Sequence, residues 1–209
     1  MLPFSLNRPV KQVLHSAALG ALLALPLAMN PAQADSVTVG QTFLASGLDP
    51  AEGSTGWALV THGIGEQLFQ VSRTGEVVPN LASSANFNAD GTWTVELAPD
   101  RFFSDGTPVS AELVAAALNR TGEANPSARA TAGRLTFEAI DSDTLKVSTE
   151  EPTTILPSIL AEWAFPVYME TDNAPIFTGP FAVTDFQAGS QNNMPPTTHY
   201  ADAAKRPDV

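Results

Sequence analysis

The chain has 209 residues, enough for one domain with a sizeable hydrophobic core. Its 22 acidic and 10 basic residues give a formal net charge of −12, which repels phosphate backbones, so nucleic acid is not an expected partner. The absence of cysteine excludes disulfides, thiolate metal sites and cysteine nucleophiles.

The first 34 residues have the order of a secretory signal peptide. Arg8 and Lys11 give a short basic start, residues 13–29 are mostly apolar, and residues 32–34 read Ala-Gln-Ala, an A-x-A cleavage site. We expect cleavage before Asp35 and export to the periplasm. Because the unbroken apolar core is shorter than the ~20 residues of a spanning helix, we do not expect a protein embedded in the membrane.

The next part of the chain contains two kinds of apolar periodicity. Alternation over residues 36–43 predicts a strand, whereas recurrence at three and four residues predicts a helix of about four turns over residues 55–69. Residues 88–91, Asn-Ala-Asp-Gly, predict a hairpin turn, and the alternation of residues 93–97 predicts the strand after it.

The second half continues with mixed elements. Ser110 is placed to cap a helix that ends near Gly122, and the small and polar residues 122–133 predict a loop. Alternation over residues 135–149 predicts a β-hairpin, and residues 153–163 predict a short helix. Residues 181–186 indicate a last strand or a bent strand pair.

Hairpins beside isolated helices indicate an α/β lobe of the mixed α+β kind rather than a regular βαβ array. Residues 191–209 are polar and without periodicity, so we expect an irregular C-terminal tail. The predicted organisation is therefore a signal peptide at residues 1–34, one lobe at residues 35–190 and the tail at residues 191–209.

No residue pattern of a catalytic centre is visible. The two histidines after the signal, His62 and His199, are far apart and lack the spacing of metal ligands, and no Gly-x-Ser-x-Gly elbow is present. We therefore expect no enzyme, no cofactor and no metal site, and the lack of a nucleophile–base pair disfavours a secreted hydrolase. Arg129 or Arg134 is either a surface arginine or a partner for a ligand carboxylate.

Several segments resemble, in family order, those of the peptide/nickel class of extracytoplasmic solute-binding proteins (solute-binding family 5). They are Leu-Asp-Pro at 48–50, Gly-Glu-Val-Val-Pro-Asn-Leu-Ala at 75–82, Asp-Gly-Thr-Trp-Thr-Val-Glu-Leu at 90–97, the run at 102–114 around Phe-Ser-Asp-Gly-Thr-Pro, and Phe-Thr-Gly-Pro-Phe at 177–181. The resemblance implies a periplasmic-binding-protein type II-like fold, of which this chain supplies the first lobe only. Members are not enzymes; they close two lobes on a peptide or a nickel chelate and dock on ABC permease subunits, and we expect a monomer.

By this resemblance, loops that face the cleft supply the ligand contacts. We call the loop after the first predicted strand, at residues 44–48, the first loop. We expect its backbone groups to hold the polar ends of a peptide, and Trp163 or Phe165 to cover the apolar part of the peptide. The predicted ligand-binding residues are Leu44, Ala45, Ser46, Gly47, Leu48, Arg129, Trp163, Phe165 and Tyr168.

The family continues into a second lobe after the region that ends at Val209. We therefore expect weak solute binding by this chain alone, because a cleft buries most of its ligand between two walls. The alternative interpretation is a truncated, secreted single lobe that acts only in protein interaction or has no function.

Overall fold

The computed structural model describes residues 38–202, so the predicted signal peptide and residues 203–209 lie outside the described residues. Within them, short helices and strands alternate irregularly, which confirms the mixed α+β class. The helices are α1 (Thr55–Thr61), α2 (Ala111–Ala124), α3 (Pro126–Ala132) and α4 (Leu156–Ile159). The strands are β1 (Phe69–Val71), β2 (Val77–Pro79), β3 (Ala82–Phe87), β4 (Trp93–Leu97), β5 (Leu135–Ala139), β6 (Thr144–Thr149), β7 (Tyr168–Met169), β8 (Ile176–Phe177), β9 (Asp185–Gln187) and β10 (Gln191–Asn193).

The largest sheet is antiparallel, with the strand order β3-β4-β6-β5. It consists of two hairpins joined along β4 and β6, where Val95 lies opposite Leu145. Alternate side chains of these strands, including Val95, Leu145 and Val147, are fully buried in the main core with residues of α2. Both predicted hairpins are confirmed, and Gly91 adopts the positive φ of 82° that the first turn requires.

Helix α2 covers this sheet and begins where the sequence predicts. The Ser110 hydroxyl accepts a hydrogen bond from the Leu113 amide at 3.4 Å, and Glu112 lies in the first turn, where the helix dipole favours an acidic side chain. The helix continues to Ala124 instead of ending near Gly122.

The loop predicted for residues 122–133 is wrong, because most of this segment is α3. The Asn125 side chain accepts a hydrogen bond from the Ser127 amide at 2.8 Å, and Pro126 occupies the first helical position, where its missing N–H costs nothing. The Asn125 side-chain amide also donates to the carbonyls of Pro50 and Gly53, so this cap joins α3 to the turn before α1.

The helix predicted for residues 55–69 is half as long as expected, because α1 ends at Thr61. His62 and Gly63 (φ 71°) form a Schellman ending, in which the Ile64 amide bonds to the Leu59 carbonyl and the Gly63 amide to the Val60 carbonyl. Residues 62–68 then run irregularly into β1.

Three further predictions need correction. Residues 38–43 form no strand, and they have no ladder partner among the described residues; residues 36–37 lie outside them. The predicted helix over residues 153–163 reduces to the single turn of α4. The tail is not irregular throughout, because β10 pairs with β9.

The apolar interior comprises a main cluster under α2 and a smaller cluster around Leu59, Ile64, Tyr168 and Phe177. None of the helices between residues 38 and 202 combines the length and the apolar character needed to cross a membrane.

Candidate functional site

The turn at residues 177–180 lies between two loops and is hydrogen-bonded to both. The Ser104 amide donates to the Phe177 carbonyl at 2.8 Å, and the Gly179 amide donates to the Ile64 carbonyl at 2.9 Å. A Cβ at Gly179 would overlap the carbonyl oxygens of Gly63 and Ile64, so only glycine permits this approach. The turn therefore fixes the spacing between the loop after α1, which contains Ile64, and the loop before α2, which contains Ser104.

A cavity of about 280 Å³ opens beside this turn. Its walls are mostly apolar and come from five segments, with Leu48, Ile64, Phe177 and Val183 among them, and Ser104 adds a hydroxyl. This combination of apolar walls and a few polar groups is typical of small-molecule sites.

The position of Leu48 at this cavity depends on an ion pair of its neighbour Asp49. The Arg120 guanidinium of α2 donates two parallel hydrogen bonds of 2.7 Å to the Asp49 carboxylate, and it also contacts Glu170 at 2.7 Å and the Tyr168 hydroxyl at 3.0 Å. The hydrogen bonds from Arg120 lower the pKa of Asp49, and those to Asp49 and Tyr168 raise the pKa of Arg120. Arg120 is therefore already occupied and acts as a structural brace.

A second polar cluster joins the loop after α1 and the loop before α2 to the last described residues. The Glu66 carboxylate accepts a hydrogen bond of 3.1 Å from the Tyr200 hydroxyl, and Arg101 forms a 3.1 Å ion pair with Asp202. Burial raises the pKa of Glu66 to about 7, although Tyr200 and Arg101 act in the opposite direction. Burial also raises the pKa of Tyr200.

The predicted first loop reaches the cavity only at its end. Leu48 lines the cavity, whereas Ala45 is buried and its carbonyl accepts a hydrogen bond from the Gly189 amide at 3.0 Å. Leu44 and Gly47 are half-buried, and Ser46 is exposed.

Arg129 lies elsewhere, at the corner between α2 and α3. Its guanidinium donates to the carbonyls of Glu123 at 2.7 Å and Gly122 at 3.4 Å, in the last turn of α2. It borders a separate depression of about 340 Å³ with Glu123 and Pro126. The structure thus does not bring Arg129 together with Leu48 at the cavity.

The predicted aromatic residues belong mainly to the interior. Phe165 and Tyr168 are 1% and 0% exposed, so neither offers a face to a solute within the described lobe. Trp163 is half-buried and packs against the main core. None of the three lines the cavity beside Leu48.

The surroundings of His62 and His199 indicate structural roles for both side chains. His62 caps α1 and its Nε2 contacts the Gln41 side chain, and burial lowers its pKa. The His199 ring packs on Gly106, where a Cβ would come within 3.1 Å of Nε2. Between residues 38 and 202, no group of three or more His, Asp and Glu side chains is arranged to hold a metal ion.

Sequence reasoning missed the partners of Asp49 and Glu66. Arg120 stands in a helical pattern like any surface arginine, and no short-range signal links it to a residue 71 positions away. Glu66 had one available signal, since it is the only charged residue between Thr61 and Gln70. A lone acid in a segment with no other charge is a candidate for a buried, partnered carboxyl.

Comparison with known protein families identifies the family of this chain. The profile of the "Bacterial extracellular solute-binding proteins, family 5 Middle" matches residues 76–209. The chain belongs to this family. The resemblance noted from the motifs is thereby confirmed, for a chain that covers only part of the family's length.

Two curated proteins of Escherichia coli K12 are similar to this chain in sequence. One, DdpA, is named a probable D,D-dipeptide-binding periplasmic protein and is 30% identical over 86% of this chain and 40% of its own length. The other, MppA, is named a periplasmic murein peptide-binding protein and is 26% identical over 67% of this chain and 32% of its own. The chain therefore spans about two fifths or less of these relatives.

Solved structures of the family share the fold. A nickel ABC transporter protein of Bacillus halodurans superposes with a TM-score of 0.67 at 29% identity, over 79% of this chain and 36% of that one. NikA of Staphylococcus aureus, in complex with Ni(L-His)2, superposes with a TM-score of 0.68 at 21% identity, over 76% and 34%. The described lobe thus has part of the fold of the family 5 periplasmic-binding proteins.

Proposed function

We propose that this protein is the solute-binding component of an ABC importer, which captures a peptide or a nickel chelate in the periplasm and delivers it to a membrane permease. The observation that carries the proposal is family membership, together with a mostly apolar cavity at the end of the predicted first loop. The names of the relatives support both solute classes, since one is named a murein peptide-binding protein, another a probable dipeptide-binding protein, and one structure holds a nickel–histidine complex.

In this proposal the cavity takes an apolar part of the solute. Leu48, Ile64 and Val183 offer the apolar walls of this cavity, whose volume of about 280 Å³ is just below the range of complete small-molecule sites, about 300–1,000 Å³. Backbone groups of residues 44–48, apart from the Ala45 carbonyl that Gly189 occupies, hold the polar ends, and the half-buried Trp163 covers a part of the solute that extends beyond the cavity. Phe165, Tyr168 and Arg129 then support the site from behind or lie apart from it.

The proposed protein is a monomer and performs no catalysis. Its partners are the solute and the permease subunits, and the solute is held without a resident cofactor. A second lobe closes the cleft, because one wall leaves most of a solute exposed.

Calorimetric titration of the full-length gene product tests the proposal. The solutes are D-Ala-D-Ala, a murein tripeptide, and nickel with a twofold excess of histidine, and we expect one class to bind. Leu48→Asp should weaken that binding at least tenfold, because it places a charge in the apolar wall. The matched control is Val71→Asp on an exposed strand, 59% exposed, which should bind like the unmodified protein.

Failure of all three solutes to bind would contradict the proposed solute classes. Equal weakening by Leu48→Asp and Val71→Asp would remove the cavity from the site while leaving the importer role in place.

A further inference from the structure

The last described residues fold back onto the lobe at several points. Pro196 forms a bridge with Phe181, the Thr197 amide donates to the Pro180 carbonyl at 2.8 Å, and His199 packs on Gly106. We call residues 196–202 the C-terminal clasp. It thus contacts both the turn at residues 177–180 and the loop before α2.

At its C-terminal end the clasp contacts the lobe through ionisable side chains. Tyr200 donates to Glu66 in the loop after α1, and Asp202 pairs with Arg101 in the loop before α2. The side chains of Arg101 and Asp202 are only 20% and 31% exposed, so this end of the clasp is partly withdrawn from water.

The charged and titratable groups around Glu66 come from the loop before α2 and from the clasp. Arg101, from the loop before α2, favours the ionised carboxylate, and Asp202, from the clasp, disfavours it. The Tyr200 hydroxyl donates a hydrogen bond to the carboxylate, and burial outweighs these contributions, so the pKa of Glu66 rises to about 7. A closed clasp therefore holds Glu66 in its neutral form below neutral pH.

We propose that residues 196–202 are a pH-sensitive clasp, closed over Glu66 when this carboxyl is protonated and loosened when it is ionised. Opening returns Glu66 to water, where the carboxylate is well solvated, so ionisation favours the open form.

The clasp acts on the loops of the cavity. Ile64 lies two residues before Glu66, Ser104 lies between Arg101 and Gly106, and Phe177 precedes Thr178, and all three of these neighbours line the cavity. Loosening the clasp therefore removes contacts that hold the cavity-lining loops in place. This consequence for solute binding rests on the proposed function, whereas the clasp itself does not.

Hydrogen exchange of the solute-free, full chain tests the clasp. The reporters are the Thr197 amide in the clasp, bonded to the Pro180 carbonyl, and the Ala182 amide, bonded to the carbonyl of Pro195 directly before the clasp. Exchange rates are divided by the intrinsic rate at each pH. For a carboxyl whose pKa moves from about 7 when closed to the ordinary 4.5 when open, the opening constant should rise about tenfold between pH 6 and pH 8.

Glu66→Gln removes the titrating proton and should make the opening constant equal at the two pH values. Glu138→Gln, on the exposed side of β5, is the matched control and should retain the tenfold rise. A tenfold rise that persists in Glu66→Gln, or a flat profile in the unmodified chain, would overturn the proposal.

Tyr200→Phe tests the contact itself, including the case in which Glu66→Gln does not fold. It deletes the donor to Glu66 and should raise exchange at both reporters already at pH 6. Unchanged exchange at both pH values would refute the clasp. Because no solute is present, either refutation leaves the proposed transport role intact, and failure of solute binding leaves the clasp intact.

Discussion

Asp49 and Arg120 are 71 positions apart and form a two-pronged ion pair, with both N–O distances at 2.7 Å. The pair fastens the segment that follows the first loop to the middle of α2. Because Leu48 directly precedes Asp49, the same contact sets one wall of the cavity. A guanidinium matches a carboxylate in this geometry, whereas an ammonium offers a single point of charge.

Arg120→Lys should lower the free energy of unfolding by about 1–2 kcal/mol, because lysine loses the parallel hydrogen bonds and the contact with Tyr168. Urea unfolding at pH 7 measures the difference. Arg134→Lys, an exposed arginine, is the matched control and should change stability by less than about 0.5 kcal/mol. Equal losses in the two variants would show that the fork geometry does not matter.

Gly179→Ala should destabilise the lobe by about 2–4 kcal/mol, since its Cβ would collide with two backbone carbonyls that cannot turn away. Thermal unfolding measures the loss. Gly40→Ala has open space around the added carbon and should leave the melting temperature nearly unchanged. A variant at Gly179 that melts with the unmodified protein would contradict the close packing of this turn.

Ser110→Ala should cost about 1 kcal/mol, because it removes the hydroxyl that accepts from the Leu113 amide at the start of α2. The lobe offers its own control, since Ser54 precedes α1 without a side-chain capping bond. Ser54→Ala should therefore change the urea midpoint much less than Ser110→Ala. The reverse order would be inconsistent with the capping geometry.

The stability of the lobe should fall as pH rises from about 4.5 to about 7. Over this window an unfolded Glu66 loses its proton while the folded one keeps it, so the unfolded state binds fewer protons and gains on the folded state. The full shift corresponds to on the order of 3 kcal/mol. Urea unfolding of the unmodified chain and of Glu66→Gln, at pH 5 and pH 8, should show this drop in the first and lose it in the second. A drop that survives the substitution must originate in another group.

Local patterns in the sequence predicted the central sheet and α2 well. Alternation in residues 93–97 and 135–149 gives each strand one buried face, and this requirement acts between neighbours along the chain. Ser110 and the glycine of the first hairpin turn likewise act within four residues. These features survive in the structure because no distant contact opposes them.

The predictions that failed depended on the chain's surroundings. The helix over residues 55–69 stops at His62, where Gly63 takes a positive φ and packs closely against Pro180 and Phe181. Residues 38–43 alternate like a strand, but a strand needs a partner to bond its backbone, and the described residues supply none. In α3, the Asn-Pro pair at residues 125–126 starts a helix, although the small and polar composition of residues 122–133 favours a loop.

The sequence alone determined the class of the lobe and its family, because motif order, turn glycines and hydrophobic periods are properties of short segments read in succession. Tertiary structure alone decided which side chains meet. The contacts of Arg120 with Asp49 and with Tyr168, and the contact between Glu66 and Tyr200, join residues 48 to 134 positions apart. Such contacts depend on how packed elements bring distant backbone segments together, and nothing in the local sequence encodes that distance.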